Sequence, residues 1–280
     1  ASNKLFRDHI FIVSAIGDDL WVGTDMGLHF YDYEHDNFKH ITLSNKADHS
    51  IRDIVIDHNG ILWVGTSLGI ELIDIKDKRN FFSFNQIPTN NPLYNSNITC
   101  LMPISPTLIV VGSRKGLFLI KYDKDNIEES VIEPLVFDSK SSRVNDIIKD
   151  TKSSGIWVAT LSGGTYLIDL DGTVKKHFSE NASVNRLLSN DVRQLLLSET
   201  GELWMATYSG LSIYNSKLDK IKNYINDPDI GSSISSNSIK SLYQDRNGTF
   251  WIGTYHTGLD YVNKGDQEFN HFKFSNLKNS

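Results

Sequence analysis

Six copies of one short pattern run the length of this 280-residue chain: "LWVGTDMGLHFYD", "LWVGTSLGIELID", "IVVGSRKGLFLI", "IWVATLSGGTYLID", "LWMATYSGLSIYN" and "FWIGTYHTGLDYVN". Their anchor residues are Trp21, Trp63, Val110, Trp157, Trp204 and Trp251, separated by 42, 47, 47, 47 and 47 positions. A period near this length suits either a HEAT-type helical pair or one blade of a propeller. The pattern inside each copy decides between them. Runs such as "SIRDIVID" and "GLSIYN" alternate apolar with polar residues, favour β-branched and aromatic types, and are closed at short intervals by turn residues. No amphipathic helix of useful length interrupts them.

The second copy predicts strand A over "IRDIVID", strand B over "ILWVGT", strand C after Gly69, and a shorter aromatic strand D in "FFSFN". Between A and B, Asp57–Gly60 and its counterpart Asp245–Gly248 open with Asp and close with Gly, which suits a tight hairpin. Between B and C, Gly69 and its equivalents stand where the chain reverses and a Cβ would be strained. Strand C ends at Asp32, Asp74, Asp169, Asn215 or Asn263, residue types that favour side-chain-to-backbone turns.

Each four-stranded copy has two faces to bury, so the copies are expected to pack radially around a central channel, leaving short protected edges. The expected fold is therefore all-β. It is a β-propeller of four-stranded antiparallel blades, six in this chain, forming one domain over 1–280 with blades near 1–43, 44–85, 86–137, 138–180, 181–226 and 227–280. Trp21, Trp63, Trp157, Trp204 and Trp251 are expected to fill the blade core. Gly23, Gly65, Gly112 and Gly253 beside them should let the next backbone approach, with Ala159 and Ala206 in the fourth and fifth copies.

The pattern "D..G.LWVGT..GL...D" is carried in the second copy by Asp57, Gly60, Leu62, Trp63, Val64, Gly65, Thr66, Gly69, Ile70 and Asp74. It recurs in the sixth through Asp245, Gly248, Phe250, Trp251, Ile252, Gly253, Thr254, Gly258 and Leu259. It resembles the two-component regulator propeller repeat, found in the periplasmic sensor region of hybrid two-component systems. The third copy departs from it, with Val110 for the tryptophan and "PISPT" for the Asp-to-Gly turn.

Propellers of that family usually have seven blades and occur in pairs, so six copies fit either a ring closed with six or part of a seven-bladed or double propeller. The final "SNLKNS" reads as a loop entering a further blade. The resemblance also implies a periplasmic location, an oligosaccharide signal, and a sensor that is a homodimer when intact. It places further propeller and linker domains, a membrane helix, a kinase and a DNA-binding regulator outside this chain.

Composition narrows the function classes. With 39% hydrophobic and 22% charged residues the chain can bury a full core. A net charge of −6 with interspersed signs offers no footprint for nucleic acid. The single Cys100 lies in the apolar run "NITCLMPI" and reads as a small buried hydrophobe. Neither a membrane-length apolar stretch nor a signal-peptide core is present, so this domain is expected to make no membrane contact. The nine histidines show no HExxH or similar metal spacing, no nucleophile elbow occurs, and "SGGT" at Ser162–Thr165 is a hairpin rather than a phosphate loop. The domain is therefore expected to be no enzyme and to need no cofactor or metal, with a propeller lyase as the remote alternative and a protein-interaction scaffold as the nearer one.

Propeller ligands commonly meet the face made by the B-to-C turns and D-to-A loops, which vary while strands do not. Those turns carry Arg114, Lys115, Tyr208, Tyr255 and His256, side chains able to stack on sugar rings and bond hydroxyls; polar loop tips alone would look similar. At the start of strand A, Arg52, Arg193 and Lys240 share one repeat position and are expected to converge near the channel mouth. There they would hold an acidic oligosaccharide, or else pair with nearby acids such as Asp53 and Asp191.

Overall fold

A computed structural model describes residues 9–43, 49–87, 91–139, 143–266 and 268–272. Every regular element in them is a strand, apart from two single 3-10 turns at Phe84–Gln86 and Ile127–Glu129. The strands form six four-stranded antiparallel sheets, each a simple meander in chain order, so the molecule is a six-bladed β-propeller. Residues 275–280, expected to enter another blade, lie outside the described residues.

Two compact units carry the blades. The first comprises residues 1–136 and 142–144. Its first blade is β1 (Ile10–Ile16), β2 (Asp19–Thr24), β3 (Gly27–Asp32) and β4 (Asn37–Ile41). The second blade is β5 (Ile51–Ile56), β6 (Ile61–Thr66), β7 (Gly69–Asp74) and β8 (Arg79–Ser83); the third is β9 (Ile98–Ser105), β10 (Leu108–Ser113), β11 (Gly116–Lys121) and β12 (Val131–Pro134). The second unit, 137–141 and 145–280, holds the other three. These are β13 (Val144–Lys149), whose first residue belongs to the first unit, with β14 (Ile156–Thr160), β15 (Thr165–Ile168) and β16 (Val174–Phe178); then β17 (Val192–Leu197), β18 (Glu202–Thr207), β19 (Gly210–Asn215) and β20 (Lys220–Tyr224); and finally β21 (Ile239–Gln244), β22 (Phe250–Thr254), β23 (Leu259–Val262) and β24 (Asn270–Phe272).

All six anchor residues fall on the second strand of a blade. Trp21, Trp63, Trp157 and Trp204 are buried, Val110 is buried in the third blade, and Trp251 is half-buried against Tyr261 and Phe272 of its own blade. The third blade forms despite its departures, because β9 and β10 are joined through Pro106 and Thr107 and need no Asp-to-Gly turn.

The indoles bridge blades as expected from their size. Trp63 sits between Phe84 and Tyr122 of the third blade, with ring centroids 5.2 and 5.0 Å away; Trp157 stacks on Phe178 and meets Tyr214 of the fifth. Beside Trp21 and Trp63 the small residue serves a different purpose from the one expected. A Cβ at Gly65 would lie 2.8 Å from Ile98 Cγ2, so what needs the space is an isoleucine side chain on the next blade's inner strand, rather than its backbone.

Three tryptophans are fixed by an aspartate at the end of the inner strand. Trp63 Nε1 donates to Asp57 (2.8 Å), Trp157 Nε1 to Asp150 (3.1 Å) and Trp251 Nε1 to Asp245 (3.0 Å). In the fifth blade Ser198 stands in place of the aspartate, and Trp204 Nε1 has no partner; Trp204 instead stacks on Phe250 with centroids 3.9 Å apart.

Candidate functional site

The six B-to-C turns share a lock that sequence reading passed over. The residue closing strand B is Thr24, Thr66, Ser113, Thr160, Thr207 or Thr254, and its hydroxyl donates at 2.7 to 3.1 Å to the carbonyl of the glycine that opens strand C or, in the fourth and sixth blades, immediately precedes it. The same oxygen accepts an amide two or three residues on, as Leu68 N to Thr66 Oγ1 at 3.0 Å. Both polar needs of a tight turn are thus met internally, and the turn tip is held stiff while its side chains point to solvent. Thr66→Val should cost the first unit about 1 kcal/mol by denaturant melting, with Thr66→Ser restoring most of it; an unchanged midpoint would show that the hydroxyl fixes nothing.

On these stiff turns large apolar side chains stay exposed: Tyr255 at 62%, Tyr208 at 58%, Leu161 at 39% and Leu68 at 36%. His256 is exposed and edge-on to Tyr255, centroids 4.5 Å apart. Lys115, proposed from sequence as a ligand residue, directs its ammonium at loop carbonyls, 3.3 Å from Pro92 O and 3.5 Å from Tyr94 O. Arg114 beside it is exposed.

The inner strands carry a second repeated device, from blade to blade. At their second position Thr99 Oγ1 donates to Val144 O (2.7 Å), Asn145 Nδ2 to Val192 O (2.8 Å) and Arg193 Nη1 to Ile239 O (3.3 Å). At the third position Asp53 accepts from Leu101 N (2.6 Å), Asp146 from Leu195 N (2.8 Å) and Gln194 from Leu242 N (2.6 Å).

Arg193, expected from sequence either to hold an anion with Arg52 and Lys240 or to pair with an acid such as Asp191, is a blade latch. It also donates to Ser238 Oγ at 2.9 Å, lies 3.6 Å from Asp191, and supports the Tyr208 ring from 4.9 Å. Lys240 is exposed and has interactions of its own. Arg52 belongs to the first unit, Arg193 and Lys240 to the second. Within the first unit Arg52 lies 4.1 Å over the Phe11 ring, and the cations that act on it are Arg114 and Arg143; Arg143 was not singled out from sequence because it precedes the repeat.

Two other features compete for attention. A cleft of about 590 Å³ opens between the fifth and sixth blades over Trp204, Tyr224, Phe250 and Val262. On its rim Asn215 bonds Glu202 and Asn263 bonds Asp266. Among the described residues one grouping has metal-ligand geometry, Asp32 with Glu34 and His35. Lys39 and His35 bond the Asp32 carboxylate, as do the amides of Glu34 and His35, and together they hold it well below the usual carboxylate range. It is an exposed turn already satisfied.

The two-component regulator propeller model matches residues 45–67 and 233–256, in the second and sixth blades. Among solved structures, the extracellular domain of a hybrid two-component system of B. thetaiotaomicron is 21% identical with a TM-score of 0.72, over 90% of this chain and 33% of that one. The extracellular domain of a one-component system of the same organism is 22% identical with a TM-score of 0.72, over 93% and 34%. PorZ, a surface component of the type-IX secretion system of Porphyromonas gingivalis, is 19% identical with a TM-score of 0.65, over 91% and 38%. The chain thus spans about a third of the length of these solved relatives, and the likeness establishes the fold. No curated protein matches. Among the described residues no helix is long and apolar enough to cross a membrane.

Proposed function

We propose that this chain, which carries two-component regulator propeller repeats, is the ligand-sensing part of an extracytoplasmic sensor, and that it binds an oligosaccharide on the B-to-C turn face. The observation that carries the reading is the set of exposed apolar and aromatic side chains, Tyr208 and Tyr255 foremost, mounted on turns stiffened by their own hydroxyls. A sugar ring presents C–H faces that stack on aromatic rings and hydroxyls that bond polar neighbours, and a platform already rigid loses little entropy on binding. The B. thetaiotaomicron relatives, extracellular domains of regulatory systems, support an extracytoplasmic location. In this reading the domain binds without chemistry. Further propeller and linker domains of the same sensor, and a second copy of it, carry the signal to a kinase.

A thermal-shift screen against oligosaccharide fragments tests this. A bound sugar at about 100 times its Kd should add roughly 2.7 kcal/mol. Tyr208→Ala with Tyr255→Ala should weaken binding about tenfold, and the recovered sugar should be uncleaved. If no fragment shifts the transition, or the double variant binds as well as the parent, the reading fails. A protein-interaction scaffold, to which exposed turn tips are equally suited, would then take its place.

A further inference from the structure

We propose that Arg52, Arg114 and Arg143 form an oxyanion site in the first unit, suited to the carboxylate or sulfate of an acidic sugar; only the source of the anion rests on the oligosaccharide reading. The starting point is a broken pattern. At the second position of the inner strand, Thr99, Asn145 and Arg193 each use their side chain to bond the next blade's backbone. Arg52 occupies that position in the second blade and does not. Its Nε is sealed from solvent and has no hydrogen-bond partner, while its guanidinium is held over the Phe11 ring. A buried, unmet N–H on a charged group is costly unless an acceptor arrives.

The other two arginines are brought there by the same strand ends. Arg114 sits in the B-to-C turn of the third blade, with its amide bonded to Asn97 O at 3.1 Å, one residue before β9 begins. Arg143 immediately precedes Val144, whose carbonyl is the one latched by Thr99. Burial, then Arg114 and Arg143, make Arg52 easier to deprotonate, and no carboxylate is among the groups acting on it. Among the described residues neither Arg52 nor Arg114 is paired with an acid. Like charges gathered in one place raise the local potential, and the planar guanidinium forks of Arg52 and Arg114 match the two oxygens of a carboxylate or sulfate. Arg143, which has contacts of its own, contributes field rather than a free fork.

The test titrates the chain with sodium sulfate against sodium chloride at constant ionic strength, and with glucuronate against glucose, reading the melting transition and Kd. Sulfate and glucuronate should stabilise it where chloride and glucose do not. Arg52→Met should weaken both at least tenfold, whereas Arg79→Met, remote and paired with Asp77, should leave them unchanged. Should Arg52→Met fail to fold by circular dichroism, Arg114→Met, on an exposed turn, replaces it with the same expectation. Equal response to sulfate and chloride, or undiminished binding in the folded variant, overturns the site. Sulfate binding without any sugar binding upholds the anion site with a free anion as its ligand, and sinks the oligosaccharide reading instead. Neutral-sugar binding that ignores both anions does the reverse.

Discussion

Replacing Asp57 by alanine should destabilise the first unit by about 3–5 kcal/mol, because four donors converge on one buried carboxylate. Its Oδ1 accepts from the amides of Asn59 (2.8 Å) and Ile61 (2.9 Å), which close the A-to-B hairpin. Its Oδ2 accepts from Trp63 Nε1 (2.8 Å) and from the Tyr122 hydroxyl (2.6 Å), which belongs to the chain just after β11 in the third blade. Burial and the Asp57 bond push the Tyr122 hydroxyl well above its ordinary range, so it stays a donor at any ordinary pH. Asn59 Nδ2 adds a bond to Pro106 O at 2.7 Å, tying the same hairpin to the third blade.

Alanine would strand the indole N–H and the phenol in a core with no replacement acceptor, and would free the turn at the same time. Asp245→Ala is the internal control. The same hairpin is present, but Trp251 is half-buried and no tyrosine joins it, so water can take over and the loss should stay near 1–2 kcal/mol. Chemical denaturation of both variants decides the matter: equal losses would mean that the blade-to-blade part of the network contributes nothing.

The blades were legible because each copy states its own strands, turns and anchor within about 47 residues, and local hairpin pairing needs nothing from elsewhere. The Asx turns at the end of strand C were legible for the same reason: Asp74 Oδ1 accepts from the amides of Lys76 and Asp77, and Asn215 Oδ1 from Lys217 and Leu218. The tryptophans' packing between blades was legible from their size; what escaped is the hydrogen bonding of one copy to the next. Asp53 and Asp146 look like ordinary polar residues on an alternating strand, and their acceptor role appears only when Leu101 and Leu195, nearly fifty positions on, are set beside them.

Arg193 shows how one repeat position divides between roles. Its alignment with Arg52 is real, yet one guanidinium is used to latch a neighbouring blade and the other is not, a distinction set by Ser238 and Ile239 rather than by the arginine. The threonine that closes strand B was in plain view in "VGT", "VAT" and "IGT". It read as a β-branched strand former, and its hydroxyl chemistry is what prepares the face on which ligand binding is proposed.

Asp53→Asn should shift stability relative to the parent by about 2 kcal/mol in the variant's favour between pH 4 and pH 8. Burial pushes the Asp53 carboxyl up to about 6, against the lowering effect of the Leu101 and Ile54 amides that it accepts. A carboxyl whose folded pKa lies above its unfolded value favours folding most when protonated. Its contribution is complete below about pH 4 and is lost as pH rises through about 6. At neutral pH the parent therefore carries a charge that its surroundings disfavour, and the neutral amide does not. The residue retains some solvent contact, so the effect is set below the full shift. The fifth blade already uses the neutral form, Gln194 accepting from Leu242 N at 2.6 Å, so an amide can serve the latch. Melting curves for both proteins at intervals from pH 4 to 8 isolate this group, since every other titration is common to the pair. Parallel pH profiles would show that Asp53 ionises normally in the folded blade, and that its carboxylate is as well solvated there as in the open chain.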